Sequence, residues 1–425
     1  MRDFGMKRLS QISSYSEIAS PSAAIRRGMH CPLFGCTLLM QRMERTAVVV
    51  LGTEECGFYS KEIMKVMEPQ DYMKAPVYCY ALEESDIVFG CEEKLLSLLE
   101  EIVRRDSPEM IFLISTCVTE LIGEDMAGLV QRAQEQIGAK LLYVDADNFK
   151  QNSHVDGMSD MIAALSAQIP CWEGPREGVN LLGDRECVWQ ETELGRYLRG
   201  RGVPVRAAIP AQTSKAALEN ASQAKLNIVL DATGLKLARN MEAAGVPYRI
   251  FGKYASAQRI LEAYRSIEAA LDLEPDAGLD KLARETREGW ERLSSVAREG
   301  RQTLIYSNSP LISFDACLTL HQLGFEILAC FIISYNDMER ELFPELKASG
   351  MDPYLSLLTD FGRTEELNEA LRPTLYVGRS YKSKLDKLGI RMLSPENAIL
   401  ENGFTLSRAV AEAFCQACGL KEGGC

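Results

Sequence analysis

The sequence predicts an α/β protein built from three doubly wound, Rossmann-like domains with parallel sheets. Three observations point there. A short apolar or β-branched run, a loop of small or polar residues and a helical pattern recur in that order along the chain. The runs fall into three groups, separated near 170–177 and 270–300. The second separation, "LEPDAGLDKLARETREGWERLSSVAREGR", is charged and helix-forming, as a long helix between domains would be.

The first group comprises "TAVVVLGTEECG" (46–57), "EMIFLISTCVTE" (109–120) and "KLLYVDADNF" (140–149). The second comprises "GVNLLGDREC" (178–187), "KLNIVLDATG" (225–234) and "PYRIFGKYAS" (247–256). "RQTLIYSNSP" (301–310), "FEILACFIIS" (325–334), "RPTLYVGRSY" (372–381) and "IRMLSPENA" (390–398) make the third. Such runs alternating with amphipathic helices imply βαβ units and parallel sheets. The expected organisation is an N-terminal arm (1–27), α/β domains at 28–172 and 173–270, a helical bridge at 271–300, and a third α/β domain at 301–425 with a C-terminal helix and cysteine-containing tail.

Composition narrows the function classes. A net charge of −13 and a pI near 5.0 argue against nucleic-acid binding. The longest apolar run, around 325–334, is interrupted by Glu326 and is too short to span a membrane. The first 25 residues show no apolar signal region. A cytoplasmic protein is expected. In a reducing compartment, the 13 cysteines point to metal binding or catalysis wherever they cluster. Cys79, Cys171, Cys187, Cys317 and Cys330 sit in or beside apolar segments and read as small core residues. No G-x-x-x-x-G-K-[ST] loop occurs, and no G-x-G-x-x-G follows a strand, so the usual phosphate cradles are missing from the sequence. Electrons for any redox work would have to come from another protein.

In open α/β sheets, functional groups gather at the carboxyl ends of the strands. Cys56 and Cys117 follow apolar runs by a few residues, and Cys31, in "HCPLFGC", precedes the first run. Their separations of 25 and 61 residues are not a compact cluster motif. Three loops would have to converge for these thiols to act together; otherwise they belong to the core.

Local sequence bears on that choice. "STCVTELIGEDM" (115–126), "DIVFGCEEKL" (86–95), "LGTEECGFYS" (51–60), and "CPLFG" with its 25-residue step to Cys56 together resemble the nitrogenase component 1 superfamily. That group includes the nitrogenase molybdenum-iron subunits, the cofactor-scaffold pair, and several tetrapyrrole- and thioether-reducing relatives. The resemblance covers most of the chain and is strongest over 28–165. It implies that Cys31, Cys56 and Cys117 are ligands of an iron–sulfur cluster, a [4Fe–4S] or a larger double cluster, shared across the interface with a homologous subunit. Gly57, beside a ligand, would let backbone amides approach the cluster sulfurs. Ser153, in "NSHVDGM", resembles a serine that joins the oxidised cluster in the nitrogenase β subunit. It also reads as the N-cap of the helical "GMSDMIAAL" that follows.

The other candidates are weaker. Cys36 matches no family ligand and reads as a buried helix residue. Cys91 stands where the family usually has glycine, His30 reads as satisfied by a neighbour, and His321 lies on an amphipathic helix. "CQACGLKEGGC" (415–425) has one C-x-x-C and lacks the second pair a zinc site needs. The family's catalytic subunit anchors its large cofactor through a cysteine in the second domain and a histidine in the third. Here 225–242 holds no cysteine, Asp231 lies near that point, and no histidine follows His321.

The first functional reading is therefore a β-type subunit of a nitrogenase-like oxidoreductase. It would take electrons from an ATP-dependent iron protein and relay them to a substrate site. The second is a scaffold subunit for assembling a nitrogenase-type metallocofactor, which the same cysteines would serve. The third is a binding protein with core cysteines. The implied assembly is a heterotetramer with an α-type partner, or a homodimer.

Overall fold

The computed structural model describes residues 6–18, 31–40, 43–67, 75–123, 125–146, 153–184, 188–307, 309–357, 361–395 and 400–420. His30, Cys187 and Cys425 lie outside them. By packing, the chain forms two compact units. One comprises His30–Cys187 with Val203–Tyr248, and the other Met1–Met29, Val188–Gly202 and Arg249–Cys425.

The first unit carries two parallel sheets. The leading sheet consists of β2 (Thr46–Gly52), β3 (Val77–Ala81), β4 (Met110–Ser115) and β5 (Lys140–Asp145), in the order β3-β2-β4-β5. Every residue of β2 and β4 is buried, which is why both read as unbroken apolar runs. α4 (Glu92–Asp106) and α6 (Met126–Gln136) cover one face through Leu95, Leu99, Ile102, Leu129 and Ala133. The strands lead into α2 (Glu54–Met67), α3 (Glu84–Phe89) and α5 (Cys117–Ile122), and α1 (Pro32–Met40) packs on α7 (His154–Ala164). The other sheet runs β7 (Val205–Pro210), β6 (Val179–Asp184), β8 (Leu226–Val229) and β9 (Tyr248–Ile250). Two polar side chains are buried in it. Asn180 donates to Asn227 Oδ1 (2.8 Å) and the Ala221 carbonyl (2.8 Å), and Asn227 donates to the Val246 carbonyl (3.2 Å). α10 (Leu235–Ala243) packs on α7, where Lys236 pairs with Asp160.

The second unit is built on a six-stranded sheet. Its order is β1 (Lys7–Arg8), β12 (Tyr354–Leu357), β11 (Glu326–Ile332), β10 (Thr303–Tyr306), β13 (Leu375–Val377) and β14 (Arg391–Leu393). The last five strands are parallel; β1 is antiparallel, with Lys7 opposite Leu355. α14 (Ser313–Gln322), α15 (Asp337–Ala348) and α18 (Gly403–Ala417) share one core with Leu304, Tyr306, Cys317 and Cys330. α16 (Phe361–Leu371) and α17 (Lys382–Lys387) lie on the opposite face, over Ile305, Phe331 and Tyr376. Residues 277–299 form α12 (Ala277–Glu291) and α13 (Leu293–Glu299). α12 packs on α18, where Trp290 Nε1 donates to Ser407 Oγ (2.9 Å). The parallel-sheet α/β class expected from the sequence is therefore the one observed, with β1 as an added antiparallel edge. Cys171, expected in the core, is exposed. The apolar stretch around it ends in irregular chain ahead of β6, where no sheet face buries it.

Candidate functional site

The carboxyl edge of the leading sheet brings the candidate residues into one region. β2 and β4 are neighbours, with Leu51 opposite Ser115, and the Thr116 N–H donates to the Leu51 carbonyl (3.1 Å). Cys56 sits in the first turn of α2, directly after β2, and Cys117 opens α5, directly after β4. Cys31 immediately precedes α1, and its carbonyl accepts the Phe34 N–H (3.1 Å). All three thiols are half-buried.

Burial raises the pKa of Cys31. Backbone N–H donors at Phe34 and Leu33 oppose that, and charge on Cys56 adds to it, so the Cys31 and Cys56 thiols are electrostatic neighbours. The phenol of Tyr59, one helical turn beyond Cys56, is pushed up to about 12 by burial, with charge on Cys31 adding. A thiol beside a helix start with N–H donors opposing the effect of burial, as at Cys31, is suited to ligation as a thiolate. Among the described residues, no three or more His, Cys, Asp or Glu side chains close into a metal-holding group. The donor chemistry, three half-buried thiols near one sheet edge, fits an iron–sulfur cluster.

Three contacts that the sequence does not single out fix this geometry. Thr53 braces Cys56: its Oγ1 donates to the Cys56 Sγ (3.6 Å), while its carbonyl accepts the Cys56 N–H (3.1 Å). The same carbonyl accepts from Cys79 Sγ (3.7 Å). Gly57 lies against Cys79, and a Cβ there would stand 2.2 Å from the Cys79 Sγ. The glycine thus has a packing reason, because it lets α2 lie close to β3. The third contact joins α1 and α7. A Cβ on Gly35 would meet the His154 carbonyl oxygen at 1.7 Å, and one on Gly157 would meet that of Pro32 at 2.1 Å. Cys36 is buried in this contact and donates to the Gly157 carbonyl (3.3 Å). Small residues at 35 and 157 are the only trace of this in the sequence.

Ser153 is buried and caps α7. Its Oγ accepts the Asp156 N–H (3.4 Å) and donates to Asp156 Oδ2 (3.0 Å), and that carboxylate accepts the Ser153 N–H in return (2.7 Å). Large apolar side chains surround the edge in the open. Phe58 is 67% exposed, Phe89 87% and Leu121 70%. They lie on α2, α3 and α5, the helices that follow β2, β3 and β4, and Leu121 is one turn from Cys117.

Residues 31–401 match the model of the family described as nitrogenase component 1 type oxidoreductase. The chain belongs to that family. Among curated proteins, it is 28% identical over 222 residues to the nitrogenase iron-molybdenum cofactor biosynthesis protein NifE of Clostridium pasteurianum. That match takes in 51% of this chain and 48% of the clostridial protein, so the chain spans about half the length of that relative. It is 27% identical over 331 residues to the protein of the same name from Rhizobium meliloti (strain 1021), covering 74% of this chain and 69% of the other. A solved structure titled "Nitrogenase Cp1 at pH 6.5" superposes with a TM-score of 0.64 at 18% identity, over 94% of this chain and 90% of that one. At that identity the likeness shows a shared fold. Among the described residues, no helix is long and apolar enough to cross a membrane.

Proposed function

We propose that this member of the nitrogenase component 1 family is a scaffold subunit on which a nitrogenase-type metallocofactor is assembled. The names of the curated relatives, which are cofactor biosynthesis proteins, carry this reading. They reverse the order suggested by the sequence, which ranks electron relay first. The missing cysteine in 225–242 and the missing histidine beyond His321 fit the same reading, since a scaffold must release what it builds.

In this reading, Cys31, Cys56 and Cys117 hold an iron–sulfur cluster together with thiolates from a homologous subunit, in a heterotetramer or a homodimer. The cluster would supply a thiolate-ligated redox centre. The chain's own residues prepare the place. Thr53 fixes the Cys56 thiol, the N–H groups of Leu33 and Phe34 favour the Cys31 thiolate, and the half-buried edge limits water around all three. Phe58, Phe89 and Leu121 supply an apolar rim for the homologous subunit to cover. A homologous subunit bringing further thiolates would complete the ligand set. Ser153 acts here through its cap, orienting the start of α7 beside the site.

The test is iron and acid-labile sulfide per chain, on protein purified without oxygen beside its partner subunit. Wild type should carry on the order of four irons per chain, and Cys117→Ala should lose most of them. Iron-free wild type would sink the cluster assignment. Scaffold and relay then separate by readout. Protein loaded in the presence of a cofactor-building system should activate a cofactor-free nitrogenase. Electron delivery from an iron protein to a substrate, without such transfer, would restore the relay reading, which the family's description as an oxidoreductase favours.

A further inference from the structure

A cavity of about 170 Å³ opens between α16 and α17, on the face of the six-stranded sheet that these helices cover. Its volume is close to the ~150 Å³ cavity that takes up a benzene-sized molecule, but its lining is polar. Asn368, which lines it, is 1% exposed, and among the described residues neither its amide nitrogen nor its amide oxygen has a hydrogen-bond partner. Burying both ends of a carboxamide unpaired is costly, and folded proteins rarely do so without a reason. The neighbouring side chains explain what the amide could meet. Glu365 and Lys384 are paired with each other (2.5 and 2.6 Å). Glu369 and Lys387 remain on the rim as one negative and one positive group, with Ser380 beside them. Leu385 and Leu388 supply a short apolar wall.

We propose that this cavity binds a small zwitterionic amino acid. Its carboxylate would face Lys387 and its ammonium Glu369, and its polar groups would pair with the Asn368 amide, which offers one donor edge and one acceptor edge. The balanced rim disfavours a dianion or dication, which would leave one rim charge opposed. The volume limits the ligand to the smaller amino acids. The site is separate from the cysteine-bearing edge and independent of the assembly role proposed above.

The experiment is isothermal titration of the full chain with serine, asparagine and glutamine, with succinate and putrescine as the doubly charged controls. At least one amino acid should bind saturably, and Asn368→Leu should weaken that binding by about tenfold or more. The same variant, titrated with nothing, should melt higher than wild type, because it removes two unpaired buried groups. Lys387→Glu, an exposed change, should abolish binding, and the double swap with Glu369→Lys should restore it in reversed orientation. Failure of all three amino acids, equal binding of succinate, undiminished binding by Asn368→Leu, or a lower melting point for that variant would each overturn the proposal.

Discussion

At the residue scale, the placing of Cys56 and Cys117 after strands could be read in the sequence, while their reading as cluster ligands together with Cys31 came from the family resemblance. Cys56 and Cys117 follow buried apolar runs, and the carboxyl ends of parallel strands are where such a fold places its chemistry. What holds those residues could not be read. Thr53 and Cys79 are unremarkable in one dimension, and they matter through contacts made by chain 26 residues apart. Gly57 shows how the two levels diverge. Beside a supposed ligand it suggests backbone approach to a cluster, while its neighbour in the structure is the Cys79 side chain. Gly57→Ala should therefore destabilise the protein by about 1–3 kcal/mol through overpacking. Pairing it with Cys79→Gly, which removes both crowding atoms, should recover part of that loss in a double-mutant cycle of urea midpoints. Strictly additive effects would show that the glycine serves something other than this contact.

At the scale of elements, two helix pairings invite tests. α1 and α7 touch through backbone at Gly35 and Gly157, so neither position has a flexible side chain that could yield to an added methyl group. Gly157→Ala should push the helices apart, move Cys31 from its place beside Cys56, and lower iron content in the anaerobic preparation while all three cysteines remain. Full iron loading by that variant would show that Cys31 does not depend on the α1–α7 contact. The second pairing caps α14. The buried Glu339 carboxylate accepts the N–H groups of Ser313 (2.7 Å) and Phe314 (2.9 Å), joining α15 to the start of α14. Burial drives its pKa up to about 7 from 4.5, against the pull of those two donors. A folded-state pKa above the unfolded one means that the native protein holds the proton more tightly. The carboxyl's contribution is thus complete below pH 4.5 and is lost as pH rises through about 7, a span of about 3 kcal/mol. Glu339→Gln, neutral at every pH, should flatten the fall in urea midpoint between pH 5 and 8. An unchanged slope would assign that fall to another group.

At the scale of the whole molecule, the strands visible in the sequence are those whose environment leaves a mark on composition. β2, β4, β10 and β11 are largely or wholly buried and read as continuous apolar runs. The strands that sequence patterns did not reveal are β1, β3, β7 and β12. β1, β3 and β7 are sheet edges, and β12 lies next to one. β3 is mostly half-buried, and β7 begins half-buried and ends at a proline. Place at an edge does not decide this, since β5, β9 and β14 are edges and were read; the two-residue β1 is too short to stand out, and the partly exposed β3 and β7 lack a continuous buried run. The Asn368 cavity is likewise hidden in the sequence. A buried amide without a partner is a property of three-dimensional surroundings, and nothing in "ELNEALR" distinguishes it.

The antiparallel edge formed by β1 has a consequence for synthesis. Arg8 and the Asp352 carbonyl that its guanidinium contacts are 344 residues apart. Leu9, Ile12 and Ile18 from the same short segment are buried in the core of the six-stranded unit, and Lys347 donates to the carbonyls of Leu9 (2.9 Å) and Ile12 (2.8 Å). During synthesis, this segment is made 344 residues before the chain that Arg8 contacts. The chain of the cysteine-bearing unit, by contrast, is complete at residue 248. That unit can thus close while the apolar segment around residues 9–18 is still without its sheet, and until β12 is made the segment is open to chaperones or to pairing with the wrong edge.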